Sequence, residues 1–159
     1  MPMRRVSLLA LAFAAVIASS AKAAEEAAPA KAWDQAAVTG LAAQLAKACV
    51  DLYDTYYKTP GSSGGAVGSG QAKDSYRLKH TFRRLEESTQ DLAGALAAGK
   101  GMDETTPEVE EIGMLARDAR VRLQRMFVQS PLQARIDTAR GLWRQLLPYY
   151  GIAPPPENP

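Results

Sequence analysis

Two side chains in this sequence could do nucleophilic or ligating chemistry, His80 and Cys49, and each is the single residue of its type. A covalent haem needs Cys-x-x-Cys-His and a zinc-hydrolase helix needs His-Glu-x-x-His; neither spacing occurs. His80 stands between Leu78 and Phe82, two residues that recur with core spacing, so its imidazole is expected on the solvated side of a helix. Cys49 has the opposite setting. It falls between Leu45 and Leu52 on an apolar stripe, and Lys47 points elsewhere. A reactive thiolate wants a helix N-terminus or a facing cation, so Cys49 is expected to be a buried, inert thiol. One cysteine also excludes an internal disulfide.

The carboxylates come as neighbours: Glu25/Glu26, Glu86/Glu87, Asp103/Glu104 and Glu110/Glu111. Acid–base pairs must oppose each other across a cleft, whereas consecutive helical residues point about 100° apart. These pairs read as solvated faces and helix-dipole partners. Asp103-Glu104-Thr105 lacks the alternating oxygen ligands and glycine of a calcium loop. Gly65 and Gly70 have phosphate-loop separation, but Gln71-Ala72 follows where Lys-Ser or Lys-Thr is required. The expectation is therefore a protein without catalytic residues, metal ligands or cofactor.

Binding chemistry has better material. Seven arginines lie between Ile112 and Leu147, against Asp118 and Asp137. Arg120 and Arg122 flank the apolar stripe of one segment, and Arg135 and Arg140 flank that of the next. Such residues make inter-helix pairs while their stems cover the core edge, or they line an anion-binding groove. Tyr53, Tyr56, Tyr57 and Tyr76, with Phe127, are expected to gather at one bundle end as core plug or ligand pocket. Trp33, Trp143, Tyr149 and Tyr150 are expected at the other.

Four segments of helical period must position these groups. The first, 34–58, has Asp34 as N-cap and an apolar face of Val38, Leu41, Leu45, Cys49, Leu52 and Tyr56. A Gly/Ser-rich loop, 59–70, follows it. The second, 71–98, carries Leu78, Phe82, Leu85, Thr89, Leu92 and Leu96 as a heptad stripe with one polar member. Gly99-Lys100-Gly101 stops it. The third, 106–128, starts with Pro107 in its first turn and buries Val109, Ile112, Ala116, Ala119 and Leu123. The fourth, 131–147, follows a Ser130-x-x-Gln133 capping box and buries Leu132, Ile136, Ala139, Trp143 and Leu146. The short link between the last two allows a tight hairpin or a kink between nearly continuous helices.

With no strand pattern, the fold expected is all-α: an antiparallel four-helix bundle, up-down-up-down, over 34–151. Residues 24–33 read as a tether and 152–159 as a Pro-rich disordered tail. Residues 1–23 have the layout of a cleaved signal peptide: Arg4 and Arg5, an apolar run from Ser7 to Ser19, then Ala21-Lys22-Ala23. That run falls short of the roughly 20 residues a spanning helix needs.

Cleavage would remove Arg4, Arg5 and Lys22 and no acid, taking the formal net charge from +2 to near −1. Nucleic-acid binding then loses the basic excess it depends on. Among its 159 residues, 47% are hydrophobic, enough for one packed domain. The sequence thus implies a periplasmic or secreted, non-enzymatic bundle that binds another envelope protein. The alternative is a bundle carrying haem, a metal or an anionic small molecule.

Overall fold

The computed structural model describes residues 30–58, 69–126 and 128–155, with the side chains of 69–72 left aside. The expected signal peptide, residues 24–29, nearly all of the Gly/Ser loop, Phe127 and the last four residues lie outside the described residues. Four helices follow in order: α1 Gln35–Lys58, α2 Ser69–Ala97, α3 Met102–Leu123 and α4 Ser130–Leu146. A 3-10 turn, Leu147–Tyr150, ends α4. No strand occurs among the described residues, and the architecture is the antiparallel four-helix bundle that the periodicity implies.

The heptad stripe of α2 supplies the spine of the core. Leu78, Phe82, Leu85, Leu92 and Leu96 are all buried, and so is Thr89, the polar member. Thr89 is tolerated because its hydroxyl donates to the Leu85 carbonyl at 2.7 Å, so no polar group is left without a partner. Val38, Leu45, Cys49, Leu52 and Tyr56 of α1 pack against this spine, with Val109 and Ile112 of α3 and Leu132, Ile136 and Leu146 of α4. Each fully buried leucine contributes roughly 1.5–3 kcal/mol by leaving water.

The helix ends follow local chemistry. Asp34 Oδ1 accepts the Ala37 N–H at 3.0 Å and caps α1. Gly99, at φ 88°, closes α2. There the Gly99 N–H bonds the Leu96 carbonyl and the Lys100 N–H bonds that of Ala95, the left-handed C-cap that glycine favours.

Several bounds differ from the sequence expectation: α2 starts at Ser69 rather than at 71, and α3 ends at Leu123 rather than at 128. Helix α3 begins at Met102, not at Thr106, so Pro107 lies inside it. Gly101 is the N-cap, and the Glu104 carboxylate accepts the Gly101 N–H at 3.1 Å. Thr105 and Thr106 donate to the carbonyls of Gly101 and Met102, holding the extra turn in place. Helix α4 is capped by Gln129, with Ser130 already helical, and Gln133 donates instead to Asp137.

The hairpin alternative holds between α3 and α4. Thr105, near the start of α3, bonds the Tyr150 hydroxyl beyond the end of α4 at 2.9 Å. A Cβ on Gly113 of α3 would lie 3.7 Å from the Trp143 ring of α4, an ordinary packing distance that places the indole beside this turn of α3.

Candidate functional site

The two bundle ends place the expected binding residues very differently. At the end holding the α2–α3 turn, the side chains are tied down. Gln35 Nε2 donates to the Leu96 carbonyl (3.1 Å) and to that of Lys100 (3.0 Å). Trp33 meets Tyr150 edge-on at 5.3 Å, and its indole N–H donates to Gln35. The Lys31 N–H bonds the Pro148 carbonyl, and the Lys31 ammonium sits over the Tyr149 ring. Lys31 and Trp33, in the last part of the expected 24–33 tether, are therefore anchored. Glu108 Oε2 is buried without a hydrogen-bond partner among the described residues.

The four tyrosines expected together at the opposite end separate. Tyr56 belongs to the core: it is buried, stands edge-on to Phe82 at 5.3 Å and donates its hydroxyl to the Ser75 carbonyl. Burial pushes its phenol above the ordinary value, against the pull of the Ser75 bond. Tyr53 is half-buried and tilted against Tyr57, whose exposed ring faces the Lys79 ammonium at 4.3 Å. Tyr76 stands apart, 72% exposed. The cause is the helical step: residues 56 and 57 diverge by about 100°, so one plugs the core and its neighbour does not. Ser75 and Tyr76 repeat the pattern on α2.

Tyr76 instead lines a groove of about 670 Å³ between the N-terminal half of α2 and the C-terminal half of α3. Arg77, His80, Thr81 and Arg84 line its α2 side, and Glu111, Met114, Leu115, Asp118 and Arg122 its α3 side. Three polar contacts join the two helices along its length. Arg122 lies 3.7 Å from Asp74, Thr81 donates to Asp118 at 2.8 Å, and Arg84 pairs with Glu111. Arg122 also grips Asp118 through two bonds of 2.9 and 2.8 Å. That grip holds the Asp118 carboxyl below its ordinary value and raises the Arg122 guanidinium.

The four flanking arginines thus do not form one site. Arg122 is in the groove, its side chain only 20% exposed and matched by carboxylates. Arg120 is half-buried on α3, while Arg135 and Arg140 are exposed on α4, the latter beside Asp137.

The two candidates for covalent or ligating chemistry lie apart. His80 is exposed at the groove, on the side of α2 away from Leu78 and Phe82. Cys49 is buried in the core, and burial pushes its thiol up to about 11, with Thr89 pulling the other way. Among the described residues, no cluster of three or more His, Cys, Asp or Glu could hold a metal ion. No helix of these residues is long and apolar enough to cross a membrane.

Met114 was not among the expected binding-surface residues, yet it is 61% exposed on the groove. A signal existed. It sits two residues past Ile112 and one before the half-buried Leu115, an apolar side chain outside the stripe.

Fold and groove together define, over the described residues, an all-α bundle with a semi-polar cleft between antiparallel helices. Comparison with protein-family models, with curated proteins and with solved structures found no match.

Proposed function

We propose that this is an exported, non-enzymatic helical-bundle protein of the periplasm or extracellular space that works by binding another envelope protein. The α2–α3 groove is its contact surface. The observation that carries this reading is the pair Tyr76 and Met114, 72% and 61% exposed on one cleft. Interfaces are enriched in Tyr, Met and Arg, and Tyr76, Met114, Arg77, Arg84 and Arg122 line the groove. Export rests on the sequence pattern of residues 1–23. Carriage of haem or a metal is less well supported, because a ligand held between helices needs side chains turned inward. His80 faces outward, and Cys49 is held as the thiol.

The test places a photo-crosslinking residue at position 114 and, as a control, at position 44, which is exposed on α1. Irradiation of intact cells should give one discrete protein adduct from position 114 and none from position 44. Absence of any adduct from position 114, or the same adducts from both, removes the reading.

A further inference from the structure

We infer that the α2–α3 groove takes a short acidic, amphipathic helical segment of the partner, carboxylates on one side and apolar side chains on the other. This rests on the binding reading above and names the chemistry of the occupant. The cations and acids of the groove are not equally engaged. Glu111 is engaged by Arg84, and Asp118 by Arg122 and Thr81. Asp74, just beyond the lining, also faces Arg122. Arg77 lines the groove with no carboxylate within 4 Å among the described residues, although its charge acts on Asp118 from further off, and His80 is a lining imidazole in no salt bridge there.

Arg77 offers donors only, and its planar fork matches a carboxylate. His80 lies three residues further along α2, so the two stand on one helix face about one turn apart. A segment with acids at that same spacing would meet both. Tyr76 at one place in the groove and Met114 across from the α2 side supply the apolar contacts such a segment needs.

The shape favours a helix. The inter-helix contacts from Asp74 to Arg84 span about 15 Å of α2, close to three turns. A cleft between antiparallel helices receives a third helix by laying its anchors at i, i+3, i+4 and i+7. No strand edge is present among the described residues to pair with an extended chain. A membrane surface needs an open basic face, and this surface is concave and crossed by ion pairs.

The test uses the purified protein and a labelled, end-blocked peptide of about 15 residues with Glu and Leu on opposite helical faces, followed by fluorescence anisotropy. Binding should weaken about tenfold when Gln replaces Glu in the peptide. It should weaken similarly in the double variant Arg77→Glu, His80→Glu, whose helicity stays unchanged because both side chains are exposed. Tyr76→Ser with Met114→Ser should reduce binding of both peptides. Equal binding of the Glu and Gln peptides overturns the proposal, as does tighter binding to phosphatidylglycerol vesicles or to an oligo-dT strand. A crosslink from position 114 to a second copy of this chain also overturns it. An envelope-protein adduct from position 114 without any Glu preference would discard the acidic segment and keep the binding reading. Loss of the adduct itself discards both.

Discussion

At the α2–α3 turn end, Gln35 gives its amide hydrogens to the Leu96 and Lys100 carbonyls, Trp33 stands against Tyr150, and Thr105 meets the Tyr150 hydroxyl. Toward the other end, Tyr76, Arg77, His80 and Met114 stand exposed on a groove. Both regions are rich in polar and aromatic groups, so composition does not distinguish them. The difference lies in partners. In the first, backbone carbonyls that a helix end leaves open are matched by side chains from α1. In the groove, matched pairs hold α2 to α3 while an apolar and basic remainder faces water. A surface with that remainder is free to bind without loosening the fold.

The sharpest way to break this contrast is to cut the core beneath each region. Leu96 is fully buried under the tied end, and Leu96→Ala should cost about 2–5 kcal/mol, read by chemical denaturation. Met114→Ala on the groove should change stability by less than about 0.5 kcal/mol. If the two costs are similar, the groove is part of the structural core and the distinction fails.

Alkaline pH tests the buried groups next. Cys49, Tyr56 and Tyr150 all have folded values raised by burial. An acid whose folded value is raised keeps its proton longer in the native state than in the unfolded chain. Its stabilisation is full below the unfolded value and is lost as pH rises toward the folded one. Stability should therefore decline from about pH 8.5, where a free thiol begins to ionise, through 10, where free phenols do. Cys49→Ala should remove the first part of that decline. A flat denaturation midpoint from pH 8 to 11 would contradict it.

A smaller effect separates the tied end from ordinary surface. Gln35→Ala removes three hydrogen bonds, two donated to the Leu96 and Lys100 carbonyls and one accepted from the Trp33 indole, although Thr39 still reaches the Leu96 carbonyl at 3.5 Å. The expected loss is about 1 kcal/mol, with faster amide exchange at Lys100 and Gly101. If exchange there is unchanged, the end is held by packing alone.

Much of this arrangement was legible beforehand. Every member of the α2 stripe is buried, since a period-3.5 pattern fixes which face meets the core whatever the register with neighbours. The Asp34 cap and the Gly99 stop were legible because each depends on residues a few positions apart. The α3 start was missed because Pro107 suggested a first turn, whereas two threonines and Gly101 extend the helix before it. The groove was legible only in fragments. Tyr76 and Arg122 could be named as binding residues, but their sharing one cleft depends on the register of α2 against α3. No local pattern encodes that register. The same gap explains why Tyr53, Tyr56 and Tyr57 were grouped with Tyr76: sequence placed them at one level of the bundle but not around its circumference.

The smallest expected effect concerns the groove's ion pairs and decides whether they are structural or poised for a ligand. Arg122 holds Asp118 below its ordinary value, so the pair stabilises the fold at neutral pH and loses that contribution as pH falls through the lowered value. Arg122 is largely covered, but Asp118 is more than a third exposed, and solvent weakens the attraction. Asp118→Asn should therefore lower stability only slightly at pH 7 and flatten the acid limb below about pH 4, measured by denaturant midpoints across that range. Thr81 can still donate to an asparagine oxygen, so the substitution removes charge rather than the whole contact. An acid limb that stays as steep in Asp118→Asn would show that other carboxylates set it. Asp118→Asn also leaves Arg122 with Asp74 alone, at 3.7 Å. The groove loses an anion, and an acidic peptide should bind the variant more tightly than the parent. Weaker binding would show instead that the Asp118–Arg122 pair shapes the cleft.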